Sequence, residues 1–232
     1  MVISFWRRLL DVVSPRSCVV CGGRLTVSEE VLCGRCNLHL PRTGFHLNAY
    51  ENELARMFWG KIAVERASAL FYFESHAETA NILYELKYKD HPEIGEVMGR
   101  ITARELHESG FFDGIDVIVP VPLTRQRERQ RGYNQSLLLA RGISGVTGLP
   151  VLDKVVARTT FTQSQTQMGR WERRENVEGA FRLVNAAPLQ GRHILLVDDV
   201  ITTGATMTAC AKELLRAPGS KASLLALGFA KT

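Results

Sequence analysis

The sequence predicts an α/β protein in which a mainly parallel sheet is flanked by helices and preceded by a small cysteine-containing module. From about residue 61 onward, apolar runs of strand length alternate with segments whose apolar residues recur at helical spacing. This alternation is typical of a parallel sheet. Before that point, turn-forming residues and two pairs of cysteines predominate. We therefore predict two parts, residues 1–60 and residues 61–232.

The composition indicates a folded protein with a modest positive charge. The chain has 232 residues, of which 45% are hydrophobic, and a formal net charge of +5. That charge favours anionic partners without distinguishing phosphorylated metabolites from nucleic acid. Arg7 and Arg8 interrupt the apolar residues near the N-terminus, so we read a short amphipathic helix there rather than a signal peptide. Without the ~20 consecutive apolar residues of a membrane span, we expect a cytoplasmic protein with no membrane insertion.

The elements of the larger part are predicted in the following order. Strands are predicted at 69–73, at 115–122, around Val151, at 192–199 and at 221–230. Helices are predicted over 76–108 with a break near His91-Pro92, over 132–144 and over 203–217. The polar stretch at 158–176 is longer than most connections in compact domains, which indicates a mobile functional loop.

Two adjacent carboxylates, Asp198 and Asp199, end a strand that is apolar throughout, and a helix rich in threonine begins soon after. Open α/β sheets bind ligands at this edge. The N–H groups at the helix start suit a phosphate, and carboxylates accept hydrogen bonds from ribose hydroxyls. The motif therefore suits a ribose 5-phosphate. The alternative interpretation is a strand that ends in acidic turn residues before a helix capped by threonine, which is common in α/β folds.

Arginines follow a second apolar strand, and a loop at that place could bind a diphosphate. They are Arg125, Arg127, Arg129 and Arg131. Alternating arginines are also typical of a solvated surface. Lys87 could likewise reach an anion or be a solvated lysine at a helix end. The sequence contains neither GxxxxGK[ST] nor GxGxxG, which argues against a P-loop NTPase and a dinucleotide-binding fold.

Several ordered motifs resemble those of a known family. VDDVITTGAT at 197–206 resembles the motif that binds phosphoribosyl pyrophosphate (PRPP) in type I phosphoribosyltransferases. With PVPLTRQRERQRGYNQ at 120–135, NVEGAF at 176–181 and the cysteine pairs, nearly the whole chain resembles the competence protein F family of phosphoribosyltransferase-like proteins. The resemblance implies a type I phosphoribosyltransferase-like fold and a link to natural transformation in bacteria. It also implies Mg²⁺ held largely by oxygens of PRPP.

The resemblance assigns roles to individual residues. The 5′-phosphate would be bound by Thr202, Thr203, Gly204, Ala205 and Thr206, and the ribose by Asp198 and Asp199. The pyrophosphate would be bound by Pro122, Leu123, Thr124 and Arg125. A hood that closes over the diphosphate would contain Arg158, Gln165, Arg173 and Asn176. None of these residues is assigned as a general base.

The resemblance leaves two functions open. In the first, an acceptor that the sequence does not identify displaces pyrophosphate from PRPP, a reaction of nucleotide metabolism. In the second, the protein binds single-stranded nucleic acid and uses PRPP as a regulator without turnover. Charge and stacking for that role would come from the arginines at 125–131, the cysteine module and Trp171 beside Arg170 and Arg173.

Four of the five cysteines form two CxxC pairs that are separated by eleven residues. The pairs are Cys18/Cys21 and Cys33/Cys36. Such pairs are typical of a tetrahedral zinc site, and four protein ligands would make that zinc structural rather than catalytic. A redox CxxC motif is the alternative. Cys210 lies in an apolar helical pattern and is predicted to be a small core residue.

Overall fold

The computed structural model describes residues 16–159 and 179–230. Its helices are α1 (Gly34–Leu38), α2 (Glu53–Phe58), α3 (Ala80–Tyr88), α4 (Pro92–His107), α5 (Arg125–Arg131), α6 (Gln135–Thr147) and α7 (Ala205–Leu214). Its strands are β1 (Ala67–Phe73), β2 (Val117–Pro120), β3 (Val156–Arg158), β4 (Phe181–Leu183), β5 (His193–Ile201) and β6 (Lys221–Ala230). Single 3₁₀ turns lie at Phe45–Asn48 and Ala187–Leu189.

Within the described ranges, four strands form a parallel sheet in the order β1-β6-β5-β2. The predicted parallel sheet flanked by helices is therefore confirmed. Because the strands run in one direction, their carboxyl ends meet at one edge of the sheet. At that edge Pro120, the last residue of β2, pairs with Val197 of β5. The loop after β2 therefore starts beside the two acidic residues of β5.

Apolar residues cover the sheet on both faces. On one face, Leu195 and Val197 of β5 share a core with α4 and α6. On the other face, Ile194 and Leu196 share a core with α2 and α7. Alternate side chains of one strand thus enter two different cores, and a strand buried on both faces has an almost continuous apolar sequence.

Glycines allow α4 and α6 to pack closely against each other. A Cβ at Gly99 would collide with the backbone carbonyl of Leu139, and a Cβ at Gly142 would collide with that of Glu96. The contact therefore requires residues without side chains. It fixes the position of α6, whose first turn reaches β5 at the carboxyl edge of the sheet.

The cysteine module packs against α4. Cys18, Val20 and Leu32 belong to the same core as the apolar face of α4. Two ion pairs flank this contact: Arg42 Nε lies 2.5 Å from Glu105 Oε2, and Arg100 lies 2.6 Å from Glu30 Oε2. The cysteine module thus packs against the sheet-containing part through apolar contacts. The predicted boundary near residue 60 stays a prediction.

The structure differs from the sequence-based expectations in three places. Val151 forms only an isolated parallel bridge with Ile118 rather than a strand. The arginine-rich residues expected in a loop form α5, because Thr124 caps its start and Gly132 adopts the left-handed conformation at its end. The antiparallel pair β3-β4 was not predicted. The break at His91-Pro92 is confirmed, since α3 ends before it and α4 begins at Pro92.

Two predicted features involve residues that the structure does not describe. The N-terminal amphipathic helix and nearly all of the polar stretch at 158–176 lie outside the described residues. Among the helices that the structure describes, none combines the length and apolarity needed to cross a membrane.

Candidate functional site

The acidic pair at the end of β5 is held by partners from two helices. Asp198 Oδ1 accepts hydrogen bonds from Ser136 Oγ of α6 and from the backbone N–H of Asp199, both at 2.9 Å. Asp199 Oδ2 lies 3.1 Å from Lys87 Nζ of α3. The two carboxyl groups therefore face different partners, one a hydroxyl and the other an ammonium group.

The two carboxyl groups also differ in their electrostatics. Burial and then the negative charge of Asp199 raise the pKa of Asp198 to about 7. The hydrogen bonds from Ser136 and the Asp199 N–H, together with the charge of Lys87, lower this pKa without cancelling the rise. Near neutral pH, Asp198 can therefore gain or lose a proton, while the Lys87 ammonium group balances the carboxylate of Asp199.

Neither Ser136 nor Asn134 was singled out from the sequence. Asn134 is the N-cap of α6: its side-chain oxygen accepts from the N–H of Ser136, and its amide donates to the carbonyl of Val121 at 3.0 Å. This residue joins the loop after β2 to the helix that contacts Asp198. The only available signal was a capping residue before an apolar helical pattern, which is too common to indicate a site.

The threonine-rich turn leads from β5 into α7. Gly204 is the N-cap of α7 and has a φ of 75°, in the left-handed region that favours glycine. A Cβ at this position would also lie 2.9 Å from Met57 Sδ and 3.0 Å from the ring of Phe58. Because glycine has no side chain to cap the helix, the N–H groups of the first turn can face an anion. Thr202 and Thr203 are exposed on this turn.

The loop predicted to bind pyrophosphate lies between β2 and α5. Pro122, Leu123 and Thr124 are partly buried, whereas Arg125 is exposed as the first residue of α5. One face of α5 lines an open cavity of about 270 Å³ together with Gly132. The arginines expected in a diphosphate-binding loop are therefore presented by a helix.

Of the four hood residues, the structure describes Arg158 at the end of β3. Its guanidinium carbon lies 5.2 Å from the ring centre of Phe181, its partner in the β3-β4 ladder. Burial and then the charge of Arg127 lower the pKa of Arg158, while the carboxylate of Asp198 opposes both effects. The charges of Arg127 in α5 and of Asp198 in β5 therefore both act on Arg158. Gln165, Arg173 and Asn176 lie outside the described residues, as does Trp171.

The four cysteines of the two CxxC pairs converge on one point. Their Sγ atoms all lie within 4.8 Å of one another. Backbone N–H groups donate to sulfur, among them that of Cys33 to Cys18 and that of Cys36 to Cys33, each at 3.4 Å. This arrangement could hold a metal ion. Because both pairs face a common centre, it argues against two independent redox motifs.

The remaining cysteine is part of the core. Cys210 of α7 is fully buried, as predicted. Burial and then the charge of Asp198 raise the pKa of its thiol. A thiol that stays protonated is a poor nucleophile and a poor metal ligand.

The chain is similar to several curated proteins, although no protein-family model matches it. It is 32% identical over 202 residues to the DNA utilization protein YhgH of Escherichia coli K12, a match that covers 86% of this chain and 84% of that protein. Competence protein F of Haemophilus influenzae is 28% identical over 218 residues, a match that covers 87% of this chain and 91% of that protein. Competence protein ComFC of Bacillus subtilis is 34% identical over 99 residues, a match that covers 43% of this chain and 38% of that protein.

Two solved structures resemble part of the fold. Glutamine PRPP amidotransferase from B. subtilis, complexed with ADP and GMP, has a TM-score of 0.42 and 19% identity, covering 61% of this chain and 30% of that chain. An adenine phosphoribosyltransferase has a TM-score of 0.39 and 18% identity, covering 65% and 74%.

Proposed function

The chain belongs to the family of competence protein F and the DNA utilization protein YhgH, and on this premise we propose that it binds PRPP together with Mg²⁺. In this proposal the ribose lies on Asp198 and Asp199, and the 5′-phosphate lies at residues 202–206. The diphosphate lies against residues 122–125. An acceptor then displaces pyrophosphate, in a protein connected with DNA uptake or use.

The main support is the arrangement of charge at the carboxyl edge of the sheet. Two carboxyl groups, one partly buried (Asp198) and one buried (Asp199), lie shortly before a helix start whose N-cap is glycine. A phosphate and a pair of carboxylates repel each other unless a neutral group separates them, and the ribose of PRPP is such a group. Lys87 and Ser136 hold the carboxyl groups in place without filling the turn at 202–206.

The donor set also bears on the magnesium ion. Carboxylate oxygens are ligands that Mg²⁺ prefers, but each carboxylate already has a protein partner, Ser136 for Asp198 and Lys87 for Asp199. An ion held mainly by the oxygens of PRPP fits this arrangement better than one held by the protein alone. Such an ion would balance the charge of the diphosphate as it leaves.

In the proposed reaction, the bond between the anomeric carbon and the pyrophosphate oxygen breaks, and the acceptor nucleophile forms a bond to that carbon. Positive charge develops on the carbon, and the nearby carboxylates stabilise it. Binding of phosphate and diphosphate at two loops of the same sheet edge fixes the reacting carbon between them. A proton leaves the acceptor to a base that we do not assign.

We further propose that the cysteine cluster binds a structural zinc ion. Four thiolates complete a tetrahedral coordination sphere and leave no position for a substrate. The hydrogen bonds from backbone N–H groups to sulfur support thiolate ligands by offsetting their charge.

Calorimetry with PRPP and Mg²⁺ tests the PRPP site. Each charge-assisted hydrogen bond contributes about 1.5–3 kcal/mol, so Asp199→Ala should weaken PRPP binding roughly tenfold or more. Asp153→Ala is a matched control because Asp153 is an exposed aspartate outside this edge of the sheet. Unchanged affinity in Asp198→Ala/Asp199→Ala protein would exclude the assignment.

The name of one relative, DNA utilization protein YhgH, refers to DNA. As a second candidate function we propose the binding of single-stranded DNA with PRPP as a regulator. The exposed arginines of α5 support this candidate by their charge. Release of pyrophosphate with a defined acceptor would favour the transferase. Salt-sensitive binding of single strands without turnover would favour the second candidate.

A further inference from the structure

Two tyrosines near the end of α3 are exposed side by side. Tyr84 is 49% exposed and Tyr88 is 64% exposed, and their ring centroids lie 5.3 Å apart. They do not belong to the buried face of α3, which consists of Ile82, Leu83 and Leu86. Both rings therefore present an aromatic surface to solvent, with an apolar ring and a polar hydroxyl that suit contact with a partner.

Each of these rings has a cation beside it. Lys89 Nζ lies 5.9 Å from the ring centre of Tyr84, and the guanidinium carbon of Arg131 lies 5.6 Å from that of Tyr88. The Arg131 side chain is held in addition by a hydrogen bond of 2.8 Å to Gln135. The rings are therefore bordered by positive charge on both sides.

The arginine helix α5 continues this surface. Its arginines are Arg125, Arg127, Arg129 and Arg131. Glu128 is its one acidic residue, and none of its residues is buried. The turn after α5 is fixed to α3, because the Tyr133 hydroxyl donates to the carbonyl of Leu86 at 2.9 Å. Aromatic and cationic side chains thus form one connected surface, which we name the tyrosine–arginine surface: Tyr84, Tyr88, Lys89 and the four arginines of α5.

We propose that the tyrosine–arginine surface binds single-stranded nucleic acid, with bases stacked on the tyrosines and phosphates on the basic side chains. This inference deepens the second candidate function above and rests on it. The surface adjoins the PRPP site, because Lys87 of the same helix pairs with Asp199. A strand bound here would therefore lie next to the acidic pair.

The chemistry of the surface favours a single strand over other polyanions. Exposed bases can stack on aromatic rings, and every base has a face suited to stacking. In a duplex the bases are stacked on each other, so the tyrosines would contribute little and only the basic residues would act. An anionic membrane would also attract the arginines, but the two rings carry hydroxyl groups and form no extended apolar face.

Fluorescence anisotropy of a labelled oligothymidylate of roughly 20 nucleotides tests the proposal with the full chain and without PRPP. The variant Tyr84→Ala/Tyr88→Ala should bind roughly tenfold more weakly or worse, while Tyr84→Phe/Tyr88→Phe should bind nearly as the wild type does. Lys89→Gln/Arg131→Gln should weaken binding and reduce its dependence on salt. Because PRPP is absent, a protein that fails to bind PRPP can still pass this test.

A tyrosine at the opposite end of the sheet provides the matched control. Tyr50 is 63% exposed, and the guanidinium carbon of Arg66 lies 5.5 Å from its ring centre. Arg66 directly precedes β1, so this contact lies at the amino end of that strand. Tyr50→Ala should leave strand binding unchanged, and circular dichroism should show that all variants fold. The proposal is wrong if the alanine pair binds the oligonucleotide like the wild type, or if a duplex of equal length competes equally well. It is also wrong if the tyrosines affect only binding to anionic vesicles.

Discussion

The cysteine cluster and the acidic site differ in how their side chains are brought together. All four cysteines come from residues 18–36, and the two pairs need only one reversal of the chain to meet. The acidic site draws Lys87 from α3, Ser136 from α6 and two aspartates from β5. When a site is built from one short segment, the spacing of its residues in the sequence predicts it. When a site is built from three distant elements, its formation depends on how those elements pack on the sheet.

The two regions also differ in how their charge is balanced. In the cysteine cluster, burial raises the pKa of Cys18, but hydrogen bonds from backbone N–H groups, first that of Cys21 and then that of Cys33, lower it to about 7. Burial and the neighbouring thiols raise the pKa of Cys36, so the four thiols do not all ionise alike without a cation between them. At the acidic site, burial and a neighbouring carboxylate raise the pKa of Asp198, while Lys87 lies beside Asp199.

The largest expected effect concerns the cysteine cluster. Cys33→Ser/Cys36→Ser should lose the metal and lower the free energy of unfolding by about 4 kcal/mol or more, because a structural metal contributes directly to folding. Elemental analysis and thermal unfolding measure the two effects. Cys210→Ala, a cysteine substitution outside the cluster, should retain the full metal content. Equal zinc in both variants would show that the four thiols hold no metal.

A smaller effect is expected at the ion pair between α3 and β5. Lys87→Met should lower the free energy of unfolding by roughly 2–4 kcal/mol, because it leaves the buried Asp199 carboxylate without its cation. Urea unfolding at neutral pH checks this value. Lys89→Met replaces an exposed lysine two residues away and should have an effect near zero. Adding Asp199→Asn to Lys87→Met should recover much of the loss, and its failure to do so would contradict the pairing.

The smallest expected effect is the pH dependence that Asp198 gives to the stability of the protein. Folding raises the pKa of Asp198 from 3.8 to about 7, so its contribution to stability is present below about pH 4 and is lost as pH rises to about 7. Asp198→Asn should remove this loss, so its stability relative to the wild type should be greater at about pH 8 than at about pH 5, by roughly 2–3 kcal/mol. Urea unfolding at about pH 5 and about pH 8 measures the difference. If the variant differs from the wild type equally at both pH values, Asp198 does not titrate in this range.

The order of strands and helices could be predicted because each strand of the main sheet is buried on both faces, which leaves a long apolar run in the sequence. The same pattern predicted the acidic pair at the strand end; the pair lies near that end, because β5 continues two residues beyond Asp199 to Ile201. The ion pair of Lys87 with Asp199 could not be predicted, because it depends on where α3 lies over the sheet. Arg125–Arg131 was misread because a short helix held mainly by its two caps has no apolar repeat.

The glycine contact between α4 and α6 has a consequence for genetics. Gly99 and Gly142 lie far along the helices from the acidic pair, yet they set the distance at which α6 packs and so the place of Ser136. Even a single added methyl group there would force the two helices apart. Alleles of this kind would leave every ligand-contacting residue intact and still impair the protein, most of all at high temperature. A genetic screen for loss of function would therefore recover substitutions at these glycines that no inspection of the site would explain.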